Sequence, residues 1–230
     1  MYIQFLEKAL LFKNSQDDWE INLPSDVKNI GLKISGGADS AIVCYMLAKY
    51  VVEERPDITI HPITAVAETK PFQQIFADRV LRKVEELTGI TFAEHQYKTI
   101  RSDTSENYIA DQEEYFDSLD HLFDERFAGL TANPSEQDAP ELYDGTHNLP
   151  GTTSDLDIDR SKTVEKKDNF TRPLINVDKK GVAEHYITLD VLEELFPLTR
   201  SCELITQDFS EHCGWCWFCR ERQWGFGRLV

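Results

Sequence analysis

The chain has no apolar run long enough to cross a bilayer, which excludes a helical membrane span. Met1-Tyr2-Ile3-Gln4-Phe5-Leu6-Glu7 lacks the basic flank of a secretory signal, so a cytoplasmic, soluble protein is the expectation. Positive charge is scarce: 24 Lys and Arg stand against 41 Asp and Glu, a formal net charge of −17. Segment 102–144 holds thirteen acidic residues and a single Lys or Arg, Arg126. A surface of that sign repels a phosphate backbone, so direct nucleic-acid binding there is disfavoured and a small-molecule substrate preferred; solubility alone is the equal alternative. Internal repeats and low-complexity tracts are missing, as are the G-x-x-x-x-G-K-[ST] and G-x-G-x-x-G nucleotide fingerprints.

What is present begins with 41% hydrophobic residues in 230, enough for one substantial core and a small appended module. The apolar approach Ile30-Gly31-Leu32-Lys33-Ile34 leads through Ser35-Gly36-Gly37-Ala38-Asp39-Ser40 into an apolar helix over about 40–54. Strand, glycine turn and helix aim backbone N–H groups and the positive helix end at an anion. The paired glycines remove Cβ atoms where phosphate oxygens approach, Ser35 and Ser40 add hydroxyls, and Asp39 either caps the helix or holds Mg²⁺. Lys33 is either a phosphate charge or a strand residue pointing to water.

Further strands are expected at Asp17–Leu23, Ile58–Val66 and Ile90–Tyr97, with an edge strand at Tyr2–Leu6. Helical spacing runs through Ile75, Phe76, Val80, Val84 and Leu87 to a stop at Gly89, and a further helix is expected from Glu106 to Phe127. Gly129–Asn133 reads as a strand end, 134–171 as a flap or mobile insertion, and helices follow at 179–189 and 190–196. The alternation predicts an α/β fold: a parallel twisted sheet with helices on both faces, residues 1–200, and a small C-terminal zinc knuckle, residues 201–230. Ligands of such sheets bind beyond the strand C-termini, where the Ser35–Ser40 turn falls.

Cys202, Cys213, Cys216 and Cys219 have metal-ligand spacing, two residues between each later pair and ten between the first. Four thiolates suit a structural Zn²⁺; an iron–sulfur cluster is the rival, and disulfides suit a reducing cytoplasm poorly. Trp215, Trp217 and Phe218 read as packing around the knuckle, His212 as a flank and Cys44 as core filler.

Ser-Gly-Gly-x-Asp-Ser resembles the pyrophosphate loop of the N-type ATP pyrophosphatases, whose fold is that of the adenine nucleotide alpha hydrolases. Together with Cys-x10-Cys-x2-Cys-x2-Cys, Arg220, Pro173-Leu174, Lys179–Ala183 and Leu198–Cys202, it resembles the 7-cyano-7-deazaguanine synthase family. The resemblance implies ATP, Mg²⁺ and Zn²⁺; Ser35, Gly36, Gly37, Ala38, Asp39 and Ser40 as nucleotide ligands; and Asp39, Ser40 and Lys33 as catalytic residues. It implies an ATP-dependent C–N ligase of queuosine biosynthesis that adenylates 7-carboxy-7-deazaguanine and uses ammonia to form a nitrile. A homodimer is one expected state. The chain departs from the family in the middle, where Gly129, Asn133, Asp138, Tyr143 and Asp144 echo its pattern loosely and 145–169 is polar. Two other uses of the scaffold stay open: sulfur transfer or sulfonucleotide reduction, for which Cys44 is the spare thiol, and ligation of a deazapurine to an amine on a partner protein.

Overall fold

The computed structural model describes residues 9–68, 70–101, 105–143, 166–202, 209 and 212–230. Eight strands and five helices occur among them: β1 Leu10–Phe12, β2 Trp19–Ile21, β3 Asn29–Lys33, α1 Ala38–Glu53, β4 Thr59–Ala67, α2 Phe72–Thr88, β5 Gln96–Ile100, α3 Ser105–Ser118, β6 Glu125–Ala128, β7 Lys166–Lys167, β8 Phe170–Thr171, α4 Lys179–Thr188 and α5 Trp217–Phe226. The main sheet has the order β5-β4-β3-β6-β8-β7. Its first five strands are mutually parallel and β7 is antiparallel to β8, while β1 and β2 form a separate antiparallel ribbon. The class is α/β, as the alternation of elements predicts.

Period-2 burial decides the faces. Ile30 and Leu32 of β3 enter one core with α1, α2 and α4, whereas Ile63 and Ala65 of β4 turn to Phe116 of α3 and to Phe123. Helix α1 is buried on almost every side, since it lies between the sheet and two other helices. In α2 the buried stripe is Phe72, Phe76, Val80, Leu81 and Val84; Ile75, expected in that stripe, is exposed. Gly89, with φ +77°, ends the helix by donating its amide to Glu85 O at 2.9 Å.

Three expectations are corrected. The helix expected to reach Phe127 stops at Ser118, and Glu125–Ala128 is a central parallel strand. Two charges hid it, and both are neutralised in place: Glu125 by Lys166 at 2.6 Å, Arg126 by Asp120 at 2.9 Å and Asp117 at 3.3 Å. The strand expected at 90–97 starts at Gln96, because 90–95 returns from α2. The helix expected at 190–196 is a turn, with Asp190 at φ +55° and a short 3₁₀ turn at Phe196–Leu198 that contains Pro197.

The segment expected as a flap or mobile insertion packs on the rest of the fold at its described ends. Ala139 and Leu142 pack on Trp217 of α5, Tyr143 meets the same ring edge-on at 5.1 Å, and β7 and β8 join the sheet. The expected edge strand at Tyr2–Leu6 and the polar stretch 144–165 lie outside the described residues. No helix among the described residues is long and apolar enough to cross a membrane.

Candidate anion turn and cysteine site

The chain runs from β3 to β4 and β5 on one side, then returns to place β6 on the other. That reversal opens a crevice at the C-terminal end of β3, and the Ser35–Ser40 turn lies there. Ile34 makes the last ladder bond, its amide donating to Ile63 O at 2.9 Å, and the chain then leaves the sheet.

Gly36 has φ +77°, and a Cβ on it would stand 2.5 Å from Phe76 Cβ and 2.6 Å from Ala77 N. Both conformation and the passage of α2 therefore require glycine. Gly37 is the extended N-cap of α1 and contributes no side chain to cap it. The first intrahelical bond is Ala41 N–H to Gly37 O at 3.0 Å, which leaves the amides of Ala38, Asp39 and Ser40 without helical acceptors.

Two hydroxyls brace the turn. Ser40 Oγ donates to Gly37 O at 3.1 Å and accepts from the Ser35 amide at 3.3 Å, while Gly37 N–H donates to Ser35 Oγ at 3.3 Å. The Arg200 amide holds Gly36 O from outside at 2.9 Å. Ser35 is exposed and Gly37 half-buried, so the concave side opens to solvent. The structure thus brings all six turn residues together in an open, anion-directed cradle.

Asp39 turns inward. Its Oδ2 accepts from Lys179 Nζ at 2.5 Å and from Thr131 Oγ1 at 3.4 Å, and the Lys179 ammonium lies 3.5 Å from Glu221 Oε2. Asp39 Oδ1 is buried with no hydrogen-bond partner. Close backbone approach makes this possible. A Cβ on Gly129 would stand 2.6 Å from Asp39 O, and one on Gly225 would stand 2.4 Å from Lys179 Cβ. The end of β6 and helix α5 can therefore press on the first turns of α1 and α4.

Lys179, Thr131 and Glu221 were not among the expected site residues. One signal for Lys179 was legible: it follows Asp178, whose side chain caps α4 by accepting from Lys180 N at 2.8 Å and Gly181 N at 3.2 Å. A lysine in a first helical turn opposes the helix dipole, and so implies a nearby anion.

Lys33 neither joins this network nor points freely to water. Its ammonium stands 3.9 Å from the Phe116 ring centroid and 5.0 Å from that of Phe170. Burial pushes its pKa down to about 8, with Glu113 opposing and Arg126 and Arg172 adding to the shift.

The four C-terminal sulfurs converge. Sγ atoms of Cys202, Cys213, Cys216 and Cys219 all lie within 4.8 Å of one another, and Cys213 and Cys219 are 3.8 Å apart. The amides of Cys213 and Cys216 point at Cys202 Sγ (3.5 Å) and Cys213 Sγ (3.3 Å), donors suited to thiolates. The cluster can hold a metal. Cys202 thiol contact, ahead of burial, pushes Cys216 up to about 12 and raises Cys219 as well, the response of thiols crowded together.

His212 accepts from the Ser201 amide through Nε2 at 3.3 Å and stays outside the sulfur set. Burial, with Arg222 and Arg200 adding to it, lowers its pKa to about 4. Cys44 is fully buried in α1, and burial raises its thiol far above the ordinary range.

Fully buried Arg222 fastens α5 to the segment before Cys202, donating to Thr199 Oγ1 at 2.8 Å, Ser201 Oγ at 3.2 Å and Phe196 O at 3.0 Å. Cys202 is two residues beyond Arg200, whose amide grips the turn. The cysteine site and the anion turn are thus two ends of one short structural link.

No protein-family model and no curated protein matches the chain. Among solved structures it is similar to the U34-tRNA thiolase NcsA from Methanococcus maripaludis with its [4Fe-4S] cluster, at 15% identity and a TM-score of 0.49 over 82% of this chain. The chain spans 64% of that thiolase. It is also similar to NAD+ synthetase from Burkholderia pseudomallei, at 13% identity and a TM-score of 0.38, over 89% of this chain and 75% of that one. Likeness at these scores does not bear on what this chain binds.

Proposed function

We propose that the chain is an ATP-dependent ligase that adenylates a carboxylate, 7-carboxy-7-deazaguanine, and uses ammonia to form the nitrile. The observation that carries this reading is the open Ser35–Ser40 cradle at the sheet's switch point, with the Asp39–Lys179 pair beneath it. Free first-turn amides suit the β- and γ-phosphates of ATP, with the exposed Ser35 hydroxyl beside them. A substrate carboxylate oxygen then attacks the α-phosphorus and the α–β bridging P–O bond breaks, releasing pyrophosphate. Ammonia adds to the acyl carbon, AMP leaves, and a proton passes to solvent, giving the amide. A second adenylation, on the amide oxygen, allows AMP to depart with loss of two protons and leaves the nitrile. The chain's share is positioning and charge stabilisation.

Asp39 Oδ1 is the free carboxylate oxygen that fits Mg²⁺, which when bound would neutralise the departing pyrophosphate. Four sulfurs on one ion at about 2.3 Å stand about 3.8 Å apart, so the observed spacing favours a single Zn²⁺ held by Cys202, Cys213, Cys216 and Cys219 over an iron cluster, whose thiolates bind different irons. Its role is structural. Buried Cys44 is a poor persulfide carrier, which weighs against sulfur transfer through that thiol.

The test is release of AMP and pyrophosphate from labelled ATP, with 7-carboxy-7-deazaguanine and ammonia each supplied or withheld. Release that depends on both supports the reading, and ATP turnover indifferent to the carboxylate removes it. Asp39→Ala should abolish turnover while leaving fold and zinc content intact.

A further inference from the structure

The side chains of Lys33 and Arg172 are, among the described residues, cations without a paired anion. Among the described residues neither side chain makes a hydrogen bond or an ion pair; both instead lie over aromatic rings, Lys33 over Phe116 and Phe170, and Arg172 over Phe170 at 4.4 Å. Their neighbour Arg126, 5.3 Å from the same ring, is different: Asp117, Asp120 and Asn169 hold it. Burial lowers the pKa of Lys33 strongly and that of part-buried Arg172 as well, so Lys33 is the poorly hydrated charge of the two.

Strand register explains how they meet. Lys33 pairs with Ala128, Arg126 with Phe170 and Phe127 with Thr171, and Arg172 is the next residue after Thr171. Alternation then puts Lys33, Ala128 and Arg172 in one row on the α3 face, with Gly31, Arg126 and Phe170 in the row below. Two strand spacings, about 10 Å, separate the Lys33 and Arg172 backbones, with the small Ala128 between them in the row. The row lies at the C-terminal strand ends, and Lys33 is two residues, about 7 Å of extended chain, from Ser35.

Charge sets the guest. Glu113 is the leading acidic influence on both cations, with Asp117 adding to it at Lys33 and Arg126 opposing it at both, so two cations share the influence of acids that stand off at a distance. A planar anion such as a carboxylate matches two cations laid over aromatic rings, whereas the diphosphate already has the amides of the turn. We infer that Lys33 and Arg172, above Ala128 and Phe170, form the site that receives the carboxylate of the substrate next to the nucleotide turn. This deepens the ligase reading and rests on it for the identity of the substrate.

Two measurements test it separately from that reading. In steady-state AMP release, Lys33→Met and Arg172→Gln should each raise the KM for 7-carboxy-7-deazaguanine by about tenfold or more and leave the KM for ATP within about twofold. A rise confined to the KM for ATP overturns the inference. Independently of turnover, the acetylation rate of Lys33 in the unaltered protein is followed by peptide mass spectrometry. It should fall with 7-carboxy-7-deazaguanine or indole-3-carboxylate and not with ATP. If the protein turns over no deazapurine but carboxylates still shield Lys33, the site stands and the ligase reading falls. If no carboxylate shields it, or ATP alone does, the site is wrong whatever the activity.

Discussion

Replacing Lys179 by methionine is the most demanding test of the network beneath the turn. The side chain is 7% exposed and stands between Asp39 (21%) and Glu221 (4%), at 2.5 Å and 3.5 Å. Methionine keeps the approximate volume and removes the charge, so Asp39 and Glu221 both lose the cation between them. Breaking a buried ion pair in this way costs about 3–5 kcal/mol. Asp39 is partly hydrated and relaxes, which puts the expectation at the low end, about 3 kcal/mol, or roughly 6–12 °C in Tm for a chain of this size. Adding Glu221→Gln removes the remaining deeply buried charge and should restore about 1–2 kcal/mol. Turnover should not return in the double variant, because Asp39 has lost the cation that orients it; AMP release should stay down by about a hundredfold. Urea unfolding followed by tryptophan fluorescence, with AMP release alongside, reads both effects. A single variant within about 0.5 kcal/mol of the parent, or a double variant no more stable than the single, would refute the reasoning.

Gly36→Ala should lose more stability than an ordinary surface change, about 2 kcal/mol or more, and lose ATP turnover, since a Cβ at φ +77° meets Phe76 and the Ala77 backbone; near-normal unfolding would show that the turn relaxes freely. Cys216→Ser should lower bound zinc by elemental analysis and loosen α5, because ion and fold are linked; full stability without metal would make the ion dispensable. Lys33→Met should stabilise the protein at pH 7. The folded pKa of Lys33, about 8, is below its ordinary 10.5, so the unfolded chain binds the extra proton between those values. The cost of the charged lysine is therefore constant below about pH 8 and fades as pH rises towards 10.5. The gain from Lys33→Met, up to about 3 kcal/mol, should shrink over the same window in urea titrations; a pH-independent gain would mean that Lys33 titrates normally.

The local signals were legible for definite physical reasons. Two adjacent glycines before an apolar helix announce a backbone that something must approach closely, and Gly36 is held so by α2. Four cysteines within eighteen residues announce convergence, and their sulfurs do converge. Strand β6 was illegible because Glu125-Arg126-Phe127-Ala128 looks half polar on its own, and its salts come from Lys166, Asp117 and Asp120, which are distant or on other elements. The Asp39–Lys179–Glu221 contact joins residues 140 and 42 positions apart, and no spacing rule reaches across such gaps.

Whatever depends on neighbours along the chain was written in the amino-acid order: the strand–turn–helix that presents amides to an anion, the apolar stripes, the thiol spacing. Local φ/ψ preferences and side-chain periodicity act over a few residues, so they need no fold to be read. Which charges become partners, and which are left over, was decided only by the sheet order β5-β4-β3-β6-β8-β7 and the register of its strands. Only assembly brings α5 against Lys179, Arg200 against Gly36, and Lys33 level with Arg172, because electrostatic and packing energies depend on distance in space.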